Sequence, residues 1–180
     1  EYSDVSQLVR AGKLPEATLK VDQYLATKPR DPQMRFFKGV IQRDSGKPAE
    51  AIATFTKLTE DYPELPEPYN NLAVLYAGQA QYDKARAALE LAIRTHPSYA
   101  TAHENLGDVY TKMASASYSK ALQLDAGNNA AQMKLNVIKD LTTAKPGKPG
   151  TALARDGQGP GPACGHLSPA PADKPGTLCR

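Results

Sequence analysis

The sequence predicts an all-α protein built from repeated antiparallel helix pairs. Two observations carry that expectation. The first is internal repetition at one fixed spacing. Pro29, Pro63 and Pro97 are evenly spaced, and Ala17, Ala51 and Ala85 share that spacing. Val21, Phe55 and Leu89 follow it, as do the small residues Gly39, Ala73 and Gly107. Four coincident series at one period, about 34 residues, mark a structural repeat in which each unit relies on its neighbours to bury its apolar face. The second observation is the apolar spacing inside each unit, which has the period of a helix.

Residues 1–31 form a truncated first unit, marked by Leu8, Gly12, Ala17 and Pro29. Residues 32–65 form the second, with Gly39, Gly46, Ala51, Phe55 and Pro63 at the repeat positions. Lys38 and Gln42 stand there at positions that are apolar elsewhere, so the first helix of this unit is expected to be displaced or partly solvated. Residues 66–99 form the clearest unit. Tyr69, Leu72, Ala73 and Tyr76 make one helical stripe, and residues 78–81 interrupt it. A second stripe runs through Ala85, Leu89 and Ala92 to Pro97, where the residue before a proline tends to leave the helical region. Two helices of about 12–14 residues result, a common length. Ala73 and Ala85 let their backbones approach, and Tyr76 and Leu89 fill the space around them.

The fourth unit, residues 100–126, departs from this plan. Its first half runs to Tyr110, and its second-helix stripe (Ala114, Tyr118, Ala121, Leu124) begins only four residues later. In the third unit, Tyr76 and Ala85 are nine residues apart. Five residues that should make the turn are missing, and no Gly or Pro lies between residues 108 and 126. One fused helix over residues 101–125 is expected, about 37 Å long at 1.5 Å per residue. Its second half cannot fold back on its first and needs another cover. A capping helix over residues 129–143 can supply one, with Ala130, Met133, Val137, Ile138 and Leu141 on one face after an Asn128-Asn129 start signal. A homodimer through the fused helix is the competing cover.

Residues 146–180 contain seven Pro and seven Gly. Such a segment buries too little apolar surface to offset its ordering entropy, so residues 144–180 read as a disordered Pro/Gly-rich tail. The tail also carries the charge. Residues 1–143 hold 17 basic and 17 acidic side chains, and the tail's five basic and two acidic residues supply the whole +3. A neutral folded part has no electrostatic footprint for nucleic acid. No run of apolar residues is long enough to insert into a membrane. Neither cysteine, Cys164 nor Cys179, lies in the folded part, so the redox compartment is left open. No signal peptide is evident, and the chain begins at Glu1 without Met.

The order aromatic, Leu-small, Tyr, Ala, Leu, Pro in residues 66–99 resembles the tetratricopeptide repeat. The resemblance covers about residues 1–125, is specific in the two central units, and implies a right-handed superhelix of antiparallel helix pairs. It also implies a protein-interaction scaffold, not an enzyme, with a protein or peptide held in the concave groove lined by the first helices. Transferred onto this sequence, that groove contains Gln33, Phe36, Val40, Asn70, Asn71, Val74, Glu104, Asn105 and Asp108. Phe36, Val40 and Val74 are expected as an apolar strip at one end, and Glu104 and Asp108 as an acidic pair at the other. The carboxylate clamp of chaperone-binding members is not expected. Asn71 fits one clamp position, but Phe36, Thr101 and Asn105 fill the basic ones, leaving no positive charge to offset desolvation of an anion. The sequence resembles bacterial members, which at this size often serve envelope assembly. The resemblance thus favours the periplasm or cell envelope over the cytoplasm. A self-assembling structural protein and an accessory domain of a larger envelope or enzyme system are the alternative functions.

Other candidate sites have plainer readings. His96 precedes a helix-ending proline, and His103 takes the repeat's aromatic position, so neither reads as a metal ligand. Cys164, His166 and Cys179 lack a frame that would preorganise zinc. Glu50, Glu60, Asp61 and Glu64 read as a solvated acidic surface. Asp83 and Lys84 read as helix-start chemistry. No nucleophile elbow, phosphate loop or metalloprotease motif occurs. No cofactor or metal is expected.

Overall fold

The structure is a computed structural model and describes residues 1–143. The tail and its cysteines therefore lie outside the described residues. Among those residues the chain forms eight α-helices and no strand. They are α1 (Tyr2–Arg10), α2 (Leu14–Thr27), α3 (Pro32–Asp44), α4 (Pro48–Asp61), α5 (Pro66–Gly78), α6 (Tyr82–Thr95), α7 (Ala100–Leu124) and α8 (Asn129–Thr143). Helices α1/α2, α3/α4 and α5/α6 are hairpins, each stacked on the next to make a solenoid. Helix α7 is a single unbroken helix of 25 residues, as the missing turn requires.

Local chemistry sets the boundaries. Pro lies in the first turn of α2, α3, α4 and α5, where its missing N–H costs nothing. Asp31 caps α3, its carboxylate accepting from the Met34 N–H at 2.8 Å. The hairpin turns share one geometry. Gly12, Gly46 and Ala80, each one repeat period from the next, all have positive φ (70°, 73° and 58°). In each turn the next residue's N–H reaches back to a carbonyl five residues earlier at 2.9 Å: Lys13 to Leu8, Lys47 to Gln42, Gln81 to Tyr76. This is the left-handed helix end that normally takes glycine, and Ala80 adopts it with a Cβ.

The core runs continuously through the hairpins. Ala17, Val21, Ala51, Phe55, Ala85, Leu89 and Ala92 are fully buried on the second helices. Gly39 explains how closely α3 and α4 approach. A Cβ there would sit 2.6 Å from the Phe55 ring, so only glycine fits. Between units, the Tyr2 hydroxyl donates to Asp31 Oδ2 at 2.5 Å and lies 2.9 Å from the Tyr24 hydroxyl, joining α1, α2 and the cap of α3. Burial and these acceptors raise the Tyr2 pKa, so the phenol stays protonated.

Helix α3 is partly solvated at Lys38, whose side chain is 41% exposed, but it is not displaced: Met34, Phe36, Phe37, Val40 and Ile41 are all buried. Its polar exceptions find partners at the edge of the core. Lys38 reaches Asp22 at 2.8 Å, and Gln42 accepts from the Thr54 hydroxyl at 2.6 Å. In α8 the packed face is Ala131 and Leu135, with Ile138 half-buried. Met133, Val137 and Leu141 stay 69%, 58% and 66% exposed. They lie on a different face from the one that α7 covers.

Candidate functional site

The first helices α3, α5 and α7 carry the series that the repeat period assigns to the concave side. Polar contacts link them in sequence. Arg43 of α3, whose side chain is only 7% exposed, donates from Nη1 to Asn71 Oδ1 of α5 and from Nε to Asp44 Oδ1 at 2.9 Å. Asn71 Nδ2 donates to the Glu67 carbonyl at 3.0 Å. Asn105 Nδ2 of α7 donates to Asn70 Oδ1 of α5 at 2.8 Å. Asn70, Asn71 and Asn105 are fully buried. Buried amides are stable only when hydrogen-bonded, so this ladder fixes the spacing and register of the three helices.

Phe36 and Val40 are core residues, not an apolar strip. The Phe36 ring meets Phe55 of α4 at a centroid distance of 5.7 Å, and Val40 is fully buried. Asn70, Asn71 and Asn105 form the buried ladder beneath the surface. Gln33, Val74 and Asp108 are half-buried, and Glu104 is exposed. These four side chains are the ones within reach of a ligand. Arg43 and Glu67 were not anticipated. A signal existed, because Arg43 continues the Phe36–Val40 face one turn further, and Glu67 follows Gln33 by one repeat period.

The groove positions of α7 are acidic, with Glu104 and Asp108 one turn apart, while Lys112 and Lys120 balance the helix as a whole. Asp108 Oδ2 is shielded from solvent without a hydrogen-bond partner, and so is Glu67 Oε2. Burial raises the Asp108 pKa, the Glu104 charge raises it further, and Lys112 opposes both. The carboxylates that reach the surface at groove positions of α7 are Glu104, exposed, and Asp108, half-buried. His103 is tied to the Pro97 carbonyl through Nε2 at 2.8 Å, and His96 stacks edge-on against Tyr99. Among the described residues no three metal-ligating side chains converge, and no helix is long and apolar enough to cross a membrane.

The architecture defines a helical-repeat solenoid. Two models of the tetratricopeptide repeat match the sequence, one over residues 42–108 and one over residues 5–66. Together they span more than half of the chain, and the chain belongs to the tetratricopeptide-repeat family. It is 34% identical, over 85 residues, to the chloroplastic tetratricopeptide repeat domain-containing protein PYG7 of Arabidopsis thaliana. That match covers 44% of this chain and 28% of the relative. It is 24% identical to human tetratricopeptide repeat protein 16 over 154 residues, 76% of this chain and 18% of that protein. The chain thus spans less than a third of the curated relatives it matches. Among solved structures, MamA is similar with a TM-score of 0.55 at 22% identity, covering 74% of this chain and 81% of that one. A tetratricopeptide repeat protein from Parabacteroides merdae gives 0.55 at 20% identity, covering 78% and 59%. These structural likenesses show the fold. Family and fold together support a protein-interaction scaffold, and such repeat proteins are generally non-enzymatic.

Proposed function

We propose that this chain holds an extended segment of a partner protein along α5 and α7, above the asparagine ladder. The observation that carries the reading is the reachable carboxylate pair on α7, exposed Glu104 and half-buried Asp108, one helical turn apart beside the buried asparagines. Like charges one turn apart on a helix repel, and a ligand that brings basic side chains or N–H groups relieves that repulsion. Val74, one repeat period before Asp108, lies on α5 and offers a half-buried apolar contact. The preferred segment carries an apolar side chain for Val74 and basic side chains or free backbone N–H groups for the acidic end. The rigid ladder keeps the surface preformed, so little ordering cost falls on the scaffold.

The test is affinity capture from the native source with wild-type protein and two variants, Val74→Arg and Asp108→Lys. Both alter reachable side chains and leave the ladder intact. Proteins enriched by the wild type are expected to be lost with both variants, and peptides from those partners should bind more weakly as salt rises. Equal enrichment by all three proteins would exclude this surface as the binding site.

A further inference from the structure

We propose that two copies of this chain exchange the segment from the middle of α7 to the end of α8, each completing the fourth helix pair of the other. The exchange does not depend on the groove having a ligand.

Helix α7 contains both halves of a helix-pair interface. In α3/α4 the small residue is Gly39, covered so tightly by Phe55 that a Cβ would sit 2.6 Å from the ring. In α5/α6 the equivalents Ala73 and Leu89 are both fully buried. Gly107 continues the small-residue series, yet a Cβ there would meet nothing within 4 Å. Tyr110, one repeat period after Tyr76, is 47% exposed. Ala114, Tyr118 and Ala121 repeat Ala85, Leu89 and Ala92 at a constant offset of 29, five short of the period. Their counterparts are fully buried, whereas these three are only half-buried. One straight helix cannot bring its own halves together.

A second copy can. When two α7 helices lie antiparallel with Gly107 opposite the partner's Tyr118, the two-fold axis makes the same contact a second time. Tyr110 then falls beside the partner's Ala114, the counterparts of Tyr76 and Ala85. The surface is self-complementary, as a closed two-fold interface requires. Removing a hairpin turn is also the change that favours exchange over intramolecular closure.

Helix α8 moves with the exchanged segment. Ala131 and Leu135 repeat Ala102 and Leu106 at the same offset of 29, so Met133 and Val137 are the counterparts of Glu104 and Asp108. In the dimer the partner's α8 stands beside α7 as α7 stands beside α5. The partner's Met133 and the partner's Val137 then extend the concave surface with an apolar end. That extension, unlike the dimer, rests on the proposed binding role.

The test is the mass of the full chain in solution by light scattering at micromolar concentration. A dimer of two 19.3 kDa chains is expected. Gly107→Leu adds a good helix former where a single copy has open space, so helicity should hold. The new side chain collides with the partner's Tyr118, and the mass should fall to that of one chain. A second variant inserts Ala-Gly-Gln-Ala-Gln, copied from residues 77–81, after Tyr110. It restores the turn, lets the pair close within one chain, and should also be a monomer. A wild-type chain that is monomeric throughout the micromolar range overturns the proposal. So does a dimer that survives the insertion, or one that survives Gly107→Leu with helicity unchanged. Should Gly107→Leu lose helicity, the insertion variant decides.

Discussion

Helices α3 to α6 and helices α7 and α8 are written in the same sequence code and end in different states. In the first region the small residues of the repeat series are covered: Gly39 lies under Phe55, and Ala73 is in the same core as Leu89. In the second, Gly107 has open space above it and Tyr110 faces solvent. The side chains for a close-packed pair are present in both. What differs is the turn, which the second region lacks. The comparison separates two properties that a regular repeat confounds, namely the complementarity of two helix faces and the connection that lets them meet in one chain.

The largest expected effect breaks the first region at its centre. Phe55→Ala removes a fully buried ring from the α3/α4 contact and should cost about 3–5 kcal/mol at any protein concentration. Tyr118→Ala removes the counterpart ring in α7. Its cost should be small in dilute protein and grow with concentration, because the surface it covers belongs to a second chain. Denaturant melts of both variants at two concentrations measure the contrast. A concentration-independent loss at Tyr118 as large as that at Phe55 would erase the distinction between the regions.

A smaller effect sharpens the comparison at the turns. Gly12 and Gly46 occupy the left-handed position comfortably, while Ala80 sits there at φ 58°. The left-handed conformation costs a residue with a Cβ about 1–2 kcal/mol. Glycine loses about 0.5–1 kcal/mol of that advantage through its freer unfolded chain. Ala80→Gly should therefore stabilise the α5/α6 hairpin by up to about 1 kcal/mol, raising the midpoint by a few degrees. An unchanged or lower melting temperature would mean that the turn is not strained.

The fold was legible because periodicity reports packing directly. Coincident Pro, Ala and Gly series located the hairpins, and the absence of Gly and Pro between residues 108 and 126 located the fused helix. The groove was legible only in part. Phe36 and Val40 share the face that holds Asn70 and Val74 in the next unit, but Gly39 lets the Phe55 ring lean into α3 and draw Phe36 into the core. Face assignment from spacing carries no information on how far a neighbouring helix leans. The Arg43–Asn71 contact was hidden for a related reason, since its two residues do not stand one repeat period apart. The face of α8 was misjudged because Met133, Val137 and Leu141 are the bulkier residues, whereas close packing on α7 selects the small Ala131 beside Leu135.

The smallest expected effect tests the acidic end of the groove. Burial, then the charge of Glu104, raises the Asp108 pKa above its value in the unfolded chain. The folded state thus binds the Asp108 proton more tightly than the unfolded state does. Below the unfolded value of 3.8 both states are protonated and the residue is neutral in its effect. As pH rises from there through the folded pKa, the fold must hold a carboxylate in a shielded position, and stability is lost. Asp108→Asn removes that penalty. It should match the wild type in acid and exceed it modestly at neutral pH, with the gap opening across the interval between the two pKa values. Thermal melts across pH would reveal it, on the gentle scale expected for a partly exposed group. If Asp108→Asn instead melts lower at neutral pH, the carboxylate is already satisfied within the chain. The acidic end of the groove would then be engaged within the chain and unavailable to a basic segment.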